Sequence, residues 1–300
     1  RVQRYGMLQW GDLFTARQKL ALSVLGQAVR NLSDERELAR ATKEVMGLVA
    51  SRCADYNSGL ARWATSGEFV GNTFGRQALP PVWEFCETVL LSEESGGYPG
   101  AVEWVRKVIE QQTSNRHVTG QTRLCDACES PLPDDAAAVW FTDPPYYDAI
   151  PYSDLSDYFF VWLKRALLKH PLLSDPFDSS NPLTPKVREA VQDEVKTVNG
   201  RPKDRQFFED TMAKSFHEGR RILADSGIAS VVFAHKTTEG WEALLGGMIR
   251  AGWTLTASWP IASERPGRLR SQESAALATS VHLVCRPREE SAGIGDWGDI

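Results

Sequence analysis

Cysteine is scarce in this 300-residue sequence, and the five present follow no order. Cys53, Cys86, Cys125, Cys128 and Cys285 are an odd, scattered set. That excludes a disulfide framework and points to a reducing, cytoplasmic setting. Cys125 and Cys128 form one C-x-x-C pair. No second pair stands nearby and His117 alone does not complete a four-ligand set, so no metal site is expected. Long apolar runs are missing too. No window reaches the roughly 18 unbroken apolar residues of a membrane span, so no membrane partner is expected. The start, Arg1-Val2-Gln3-Arg4, has neither an initiator Met nor the apolar stretch of a secretory signal. We therefore expect a piece of a longer protein. An excess of positive charge is also absent: 34 Lys and Arg face 39 Asp and Glu, a net charge of −5. A chain that binds nucleic acid over its whole surface does not look like this. No internal repeat is visible.

What is present suits a globular chain of one large domain or two small ones, with 42% hydrophobic and 24% charged residues. Residues 1–117 read as a helical region packing on a sheet. Helices are expected over 14–32, with Thr15 as N-cap and Leu20, Leu22, Val24, Leu25, Ala28 and Val29 at helical spacing. Others are expected over 35–56 (Leu38, Ala41, Val45, Leu48 and Val49 inward), over 79–91 behind Pro80 and Pro81, and over 102–112. Residues 118–300 change pattern. Strands are expected over 119–125, 136–142, 228–234, 253–260 and 279–286. Helices are expected over 154–168, 207–223 and 240–250, the last with Gly252 as C-cap. The polar stretch 174–202 reads as irregular, with a short helix over 186–195. Alternating strands and helices imply a parallel sheet. The last two strands have no helix between them and add an antiparallel hairpin at its edge.

The strand 136–142 (AAAVWFT) runs into Asp143-Pro144-Pro145-Tyr146. An acidic turn at a strand end suits one difficult reaction. The exocyclic amine of a nucleobase shares its lone pair with the ring and is a poor nucleophile. A carboxylate and a backbone carbonyl that accept its two hydrogens favour a tetrahedral, nucleophilic nitrogen. Asp143 offers the carboxylate and Pro144 the carbonyl. The two prolines fix φ near −65° and donate nothing, so the acceptors are pre-aimed. Tyr146 offers a flat face for an extruded base. The same four residues also read as an ordinary turn.

The chain resembles the bacterial adenine-specific DNA methylases of a group that also carries a zinc-ribbon insertion, found among restriction-modification and phage-defence systems. The stretches that carry the resemblance are GDLFTARQKLAL (11–22), ADYNSGLARW (54–63), NTFGRQALPPVWEF (72–85), FTDPPYYDAIPYSDLSDYFFVWLKR (141–165), LTP (183–185), GWEALLGGMIRAGW (240–253) and ALATSVHLVCRPR (276–288). The resemblance implies a Rossmann-like methyltransferase sheet, represented here by its later strands. It implies S-adenosylmethionine as methyl donor and double-stranded DNA with a flipped adenine as substrate. Asp143, Pro144, Pro145 and Tyr146 become the catalytic turn. Cys125-Asp126-Ala127 takes the place of a turn beside the adenine of the cofactor, so Asp126, Ala127 and Asp143 are the cofactor candidates; a plain Asx turn is the other reading of Asp126. Tyr147 and Tyr152 read equally as pocket mouth or core, while Phe159, Phe160 and Trp162 read as core. Lys236, after the strand 228–234, reads as a phosphate contact or a solvated lysine. Arg265, Arg268 and Arg270 in one loop, and Arg201, Lys203 and Arg205 in another, read as solvated surface or as phosphate docks. Ser58, Arg62, Asn72 and Arg76 recur in the matching stretches without a physical role. The glycine loop that holds the methionine part of the cofactor has no counterpart in the sequence. An upstream segment or partner subunit is expected to supply it. Methylation of cytosine N4, which needs the same acceptors, and a non-catalytic DNA-binding or partner fragment remain as alternatives.

Overall fold

A computed structural model describes residues 2–75, 77–114, 118, 120–148, 150–261 and 280–289. The chain folds into two units and passes from one to the other and back. The first comprises Arg1–Thr122 with Pro151–Lys186, the second Arg123–Ile150 with Val187–Ile300. Residues 151–186 therefore belong with the N-terminal helices and not with the sheet that precedes them in sequence.

The helical unit contains α1 (Ala16–Arg30), α2 (Glu37–Tyr56), a small hairpin of β1 (Arg62–Ala64) and β2 (Phe69–Gly71), α3 (Tyr98–Ser114) and α4 (Tyr152–Ala166). Thr15 caps α1 as expected: its hydroxyl accepts from Gln18 N while Gln18 Oε1 accepts from Thr15 N. Leu22 and Val29 turn inward, as does Val49 on α2. Leu20 and Val24 on α1, and Leu38 and Leu48 on α2, face out instead. Spacing alone made the apolar stripes too wide, because the inward arc is set by small residues that allow close approach. On α1 that residue is Gly26, whose position lies against Arg165 and Ala166 of α4. The core of this unit is aromatic. Phe14 stacks on Tyr158, with Phe74 and Trp162 edge-on. Phe160 and Trp162 are buried, as expected, and Phe159 is partly so.

Residues 79–91 form no helix. Their backbone bonds outward instead: Cys86 N donates to Ala61 O (2.8 Å), and Leu90 O accepts from Tyr98 N (2.6 Å). Pro80 and Pro81 leave little to start an i→i−4 ladder.

The sheet unit contains β3 (Ala137–Thr142), β4 (Asp193–Val198), β5 (Arg201–Lys203), α5 (Arg205–Ile222), β6 (Leu223–Phe233), α6 (Thr238–Arg250), β7 (Trp253–Ile261) and β8 (Ser280–Pro287). Four strands form one mixed sheet in the order β3-β6-β8-β7. β3 and β6 are parallel, and β8 runs antiparallel to both β6 and β7. Both helices cover one face. Phe208, Met212 and Phe216 of α5, with Leu244 and Met248 of α6, pack on Ala229, Val231, Phe233, Leu283 and Cys285. On the other face Val139 and Phe141 are each 61% exposed and Trp259 is 63% exposed.

Two expectations fail here for the same reason, hydrogen-bond partnership. Of the strand expected over 119–125, residues 120–125 are described and form none; among the described residues no strand pairs with them and β3 is an edge of the sheet. Residues 186–195 form no helix; β4 and β5 make a hairpin across Asn199-Gly200, both at positive φ (52° and 78°). That is the left-handed turn that Asn-Gly favours.

The sheet and α5 approach so closely that only glycine fits at position 219. A Cβ there would lie 2.4 Å from the Trp140 ring of β3. Gly219→Ala should destabilise the protein by about 1–3 kcal/mol. Gly246→Ala on α6, where a Cβ meets nothing within 4 Å, should stabilise it by about 0.5–1 kcal/mol. Urea unfolding curves of the two variants, moving in opposite directions, check the packing.

Candidate active site

β3 delivers the acidic turn to the carboxyl rim of the sheet. Its last residue, Thr142, is paired with Val231 of β6, so the turn emerges beside the end of β6. Upstream, Arg221 on α5 steadies the entry to β3: it pairs with Glu218 (2.6 Å), donates to Leu132 O (2.9 Å) and contacts Asp134. The side chain of Asp143 is exposed, Pro144 is buried, and Pro145 and Tyr146 are partly buried. The Tyr146 ring sits edge-on to Phe233 of β6 (5.5 Å, 72°). The turn thus presents a carboxylate outward on a backbone held from below.

Tyr147 settles on the core. It is 3% exposed, edge-on to Phe208, and its hydroxyl donates to Glu239 Oε1 at 3.0 Å. Burial first, then the Glu239 carboxylate, push its phenol up to about 12. Its φ is +54°, a left-handed conformation costing about 1–2 kcal/mol in a non-glycine residue. Tyr147 O accepts from Gln192 N (3.1 Å) and Tyr147 N donates to Pro145 O (3.1 Å), which hold it there. Asp148, next along, meets His235 Nε2 at 3.3 Å.

His235 escaped the sequence reading, which favoured its exposed neighbour Lys236 at the same rim. His235 is 5% exposed and lies between β6 and the N-terminus of α6. The available signal was the sequence His-Lys-Thr-Thr-Glu-Gly: a titratable side chain at a strand's carboxyl end, just before a helix N-cap. Gly240 makes the space, since a Cβ there would lie 2.2 Å from His235 Nδ1.

Asp126 forms the Asx turn. One carboxylate oxygen accepts from Cys128 N (2.9 Å) and the other from Arg188 Nη1 (2.6 Å). Burial pushes its carboxyl up, but these donors outweigh burial and hold it below the ordinary value of 3.8. Ala127 is exposed. The Cys128 thiol faces Thr211 O, and burial raises it to about 11. Tyr152 lies in the helical unit, as the first residue of α4. Of the basic loop 201–205, Lys203 is 1% exposed with its ammonium over the Phe207 ring, and Arg205 pairs with Glu209 (2.7 Å). Lys203 is thus taken into the core, while Arg205 keeps 44% of its side chain exposed. Arg265, Arg268 and Arg270 lie outside the described residues, as does Arg76.

Ser58 and Asn72 have a structural role in the helical unit. Ser58 Oγ shares a 2.7 Å hydrogen bond with Thr73, and Asn72 Nδ2 donates to Asp55 Oδ2 (3.2 Å). Together they tie the exit of β2 to the end of α2. Arg62 lies close to Gly71 and Gly75. No known family model and no curated protein matches this chain.

Arg188→Ala should raise the Asp126 pKa. Because the folded-state value is depressed, the carboxylate's stabilising contribution is present above pH about 4 and lost as pH falls through the folded value. An NMR titration of Asp126 that is unchanged in the variant would contradict the pairing.

Proposed function

We propose that this chain is the catalytic portion of an S-adenosylmethionine-dependent methyltransferase acting on adenine N6 in double-stranded DNA, built on the later strands of a Rossmann-like sheet. The observation that carries this is the exposed Asp143 on a two-proline turn at the carboxyl rim of a parallel strand pair, where open sheets bind ligands. The insertion of β8 antiparallel between β6 and β7 supports the same sheet. Asp143 accepts one amino hydrogen and Pro144 O the other, which draws the nitrogen lone pair out of the ring. Pro145 keeps the two acceptors in register, and Tyr146 stacks on the extruded base, offsetting the few kcal/mol that extrusion costs. Lys236 stands at the same rim as a phosphate contact.

The described residues do not build a cradle for the cofactor. The Asp126 carboxylate is already committed to Cys128 N and Arg188, and residues 120–125 form no strand to position it. A glycine loop from an upstream segment or a partner subunit fits this division of labour. The setting in restriction-modification or phage defence rests on the resemblance alone.

With tritiated cofactor and unmethylated duplex DNA, the protein as encoded should yield N6-methyladenine, and Asp143→Ala should lower transfer at least about 100-fold while keeping its circular dichroism. Equal transfer by the two proteins would falsify the assignment, and N4-methylcytosine as product would move it to cytosine. Calorimetry on residues 1–300 alone should show no micromolar cofactor binding. A clear isotherm there would mean the cradle is complete within this chain.

A further inference from the structure

The acidic turn is tied to the N-terminus of α6 at two consecutive residues. Tyr147 reaches Glu239 in the first turn of α6 (3.0 Å), and Asp148 meets His235 Nε2 (3.3 Å) just before it. The state of the imidazole follows from its other nitrogen. Thr237 N lies 3.2 Å from His235 Nδ1, and an amide N–H only donates, so Nδ1 accepts. The Thr237 hydroxyl, which accepts from Gly240 N (3.3 Å), has its own hydrogen to give to Nδ1 (3.0 Å). Thr237 O stands at 3.4 Å from Nδ1, a longer and weaker alternative. The hydrogen of the neutral ring therefore resides on Nε2 and points to the Asp148 carboxylate. The ring is held in place: Phe233 stacks on it (6.2 Å, 21°), Tyr147 is edge-on (5.5 Å) and Trp241 Nε1 donates to His235 O (3.0 Å). Phe233 also carries Tyr146. Both ring nitrogens are thus engaged, Nδ1 by Thr237 and Nε2 by Asp148.

We propose that His235 is a positioning residue for the acceptor turn: its Nε2–H clamps Asp148 and, with the Tyr147–Glu239 bond, lets the capped N-terminus of α6 set the direction of Asp143 and the Pro144 carbonyl. This deepens the methyltransferase reading, on which its catalytic consequence rests. The mechanical part stands without it. The clamp explains why Tyr147 keeps a left-handed backbone and why position 240 must be glycine.

The test compares His235→Ala, His235→Asn, His235→Gln and Asp148→Ala in the protein as encoded. Glutamine extends an N–H toward the Nε2 position, whereas asparagine stops short at Nδ1. Hydrogen exchange of the amides of residues 143, 146, 147 and 148 should accelerate equally in His235→Ala, His235→Asn and Asp148→Ala, with no further acceleration in the His235→Ala/Asp148→Ala double variant. His235→Gln should restore protection. In methyl transfer, kcat should fall roughly tenfold or more in the same variants, with the KM for DNA held, and recover in His235→Gln. Unchanged exchange, additive effects of the two alanines, or equal behaviour of the Asn and Gln variants would overturn the clamp. If the exchange results hold but Asp143→Ala transfers normally, the methyltransferase reading fails and the clamp survives it.

Discussion

Everything at the candidate site depends on the parallel pairing of β3 with β6. Thr142 opposite Val231 brings the end of one strand beside the end of the other. Two features far apart in sequence thereby share one rim: the Asp143 turn and the corner leading into α6. A slip of one residue would turn Trp140 away from α5 and send Val139 and Phe141 into the helix-covered face. The register is held by that packing, because Trp140 fills the notch left by Gly219 and stacks on Trp253 (5.3 Å, 13°). The indole of Trp253 in turn donates to Phe216 O (2.9 Å).

The sheet is asymmetric. α5 and α6 seal one face, while the other leaves Val139, Phe141 and Trp259 exposed, with Phe141 against His282 (5.8 Å). Parallel strands are ordinarily covered on both sides. Among the residues expected to touch the cofactor, Asp126 is taken up by Cys128 N and Arg188, while Ala127 and Asp143 are exposed.

One of the strained backbone positions lies beside the candidate site. Tyr147 is buried with a left-handed backbone, two residues after a pair of prolines. Gln192 N donates to its carbonyl, its hydroxyl donates to Glu239, and the His235 ring packs against it edge-on. Such over-determination is the usual way a disfavoured conformation persists at a functional site. It also explains why Tyr147 packs inward although its neighbour Tyr146 lies at the rim.

Local chemistry was legible from the sequence wherever it acts over a few residues. Thr15 announced a helix start, the apolar run before Asp143 announced a strand, and two late strands without a helix between them announced an antiparallel pair, although β8 and not β7 joins β6. Asn199-Gly200 carried an equally local hairpin signal, overlooked because its flanks are polar. Residues 79–91 were illegible because their backbone bonds go to partners outside the segment, Ala61 and Tyr98. The sequence by itself determined the acidic two-proline corner, its residue types and the strand that bears it, since these are covalent and local. Only the tertiary structure decided that His235, and not Lys236, stands behind that corner, that Tyr147 is core, and that Asp126 is already paired. Each of those outcomes is a contact between segments tens of residues apart, which side-chain spacing along one strand or helix does not encode.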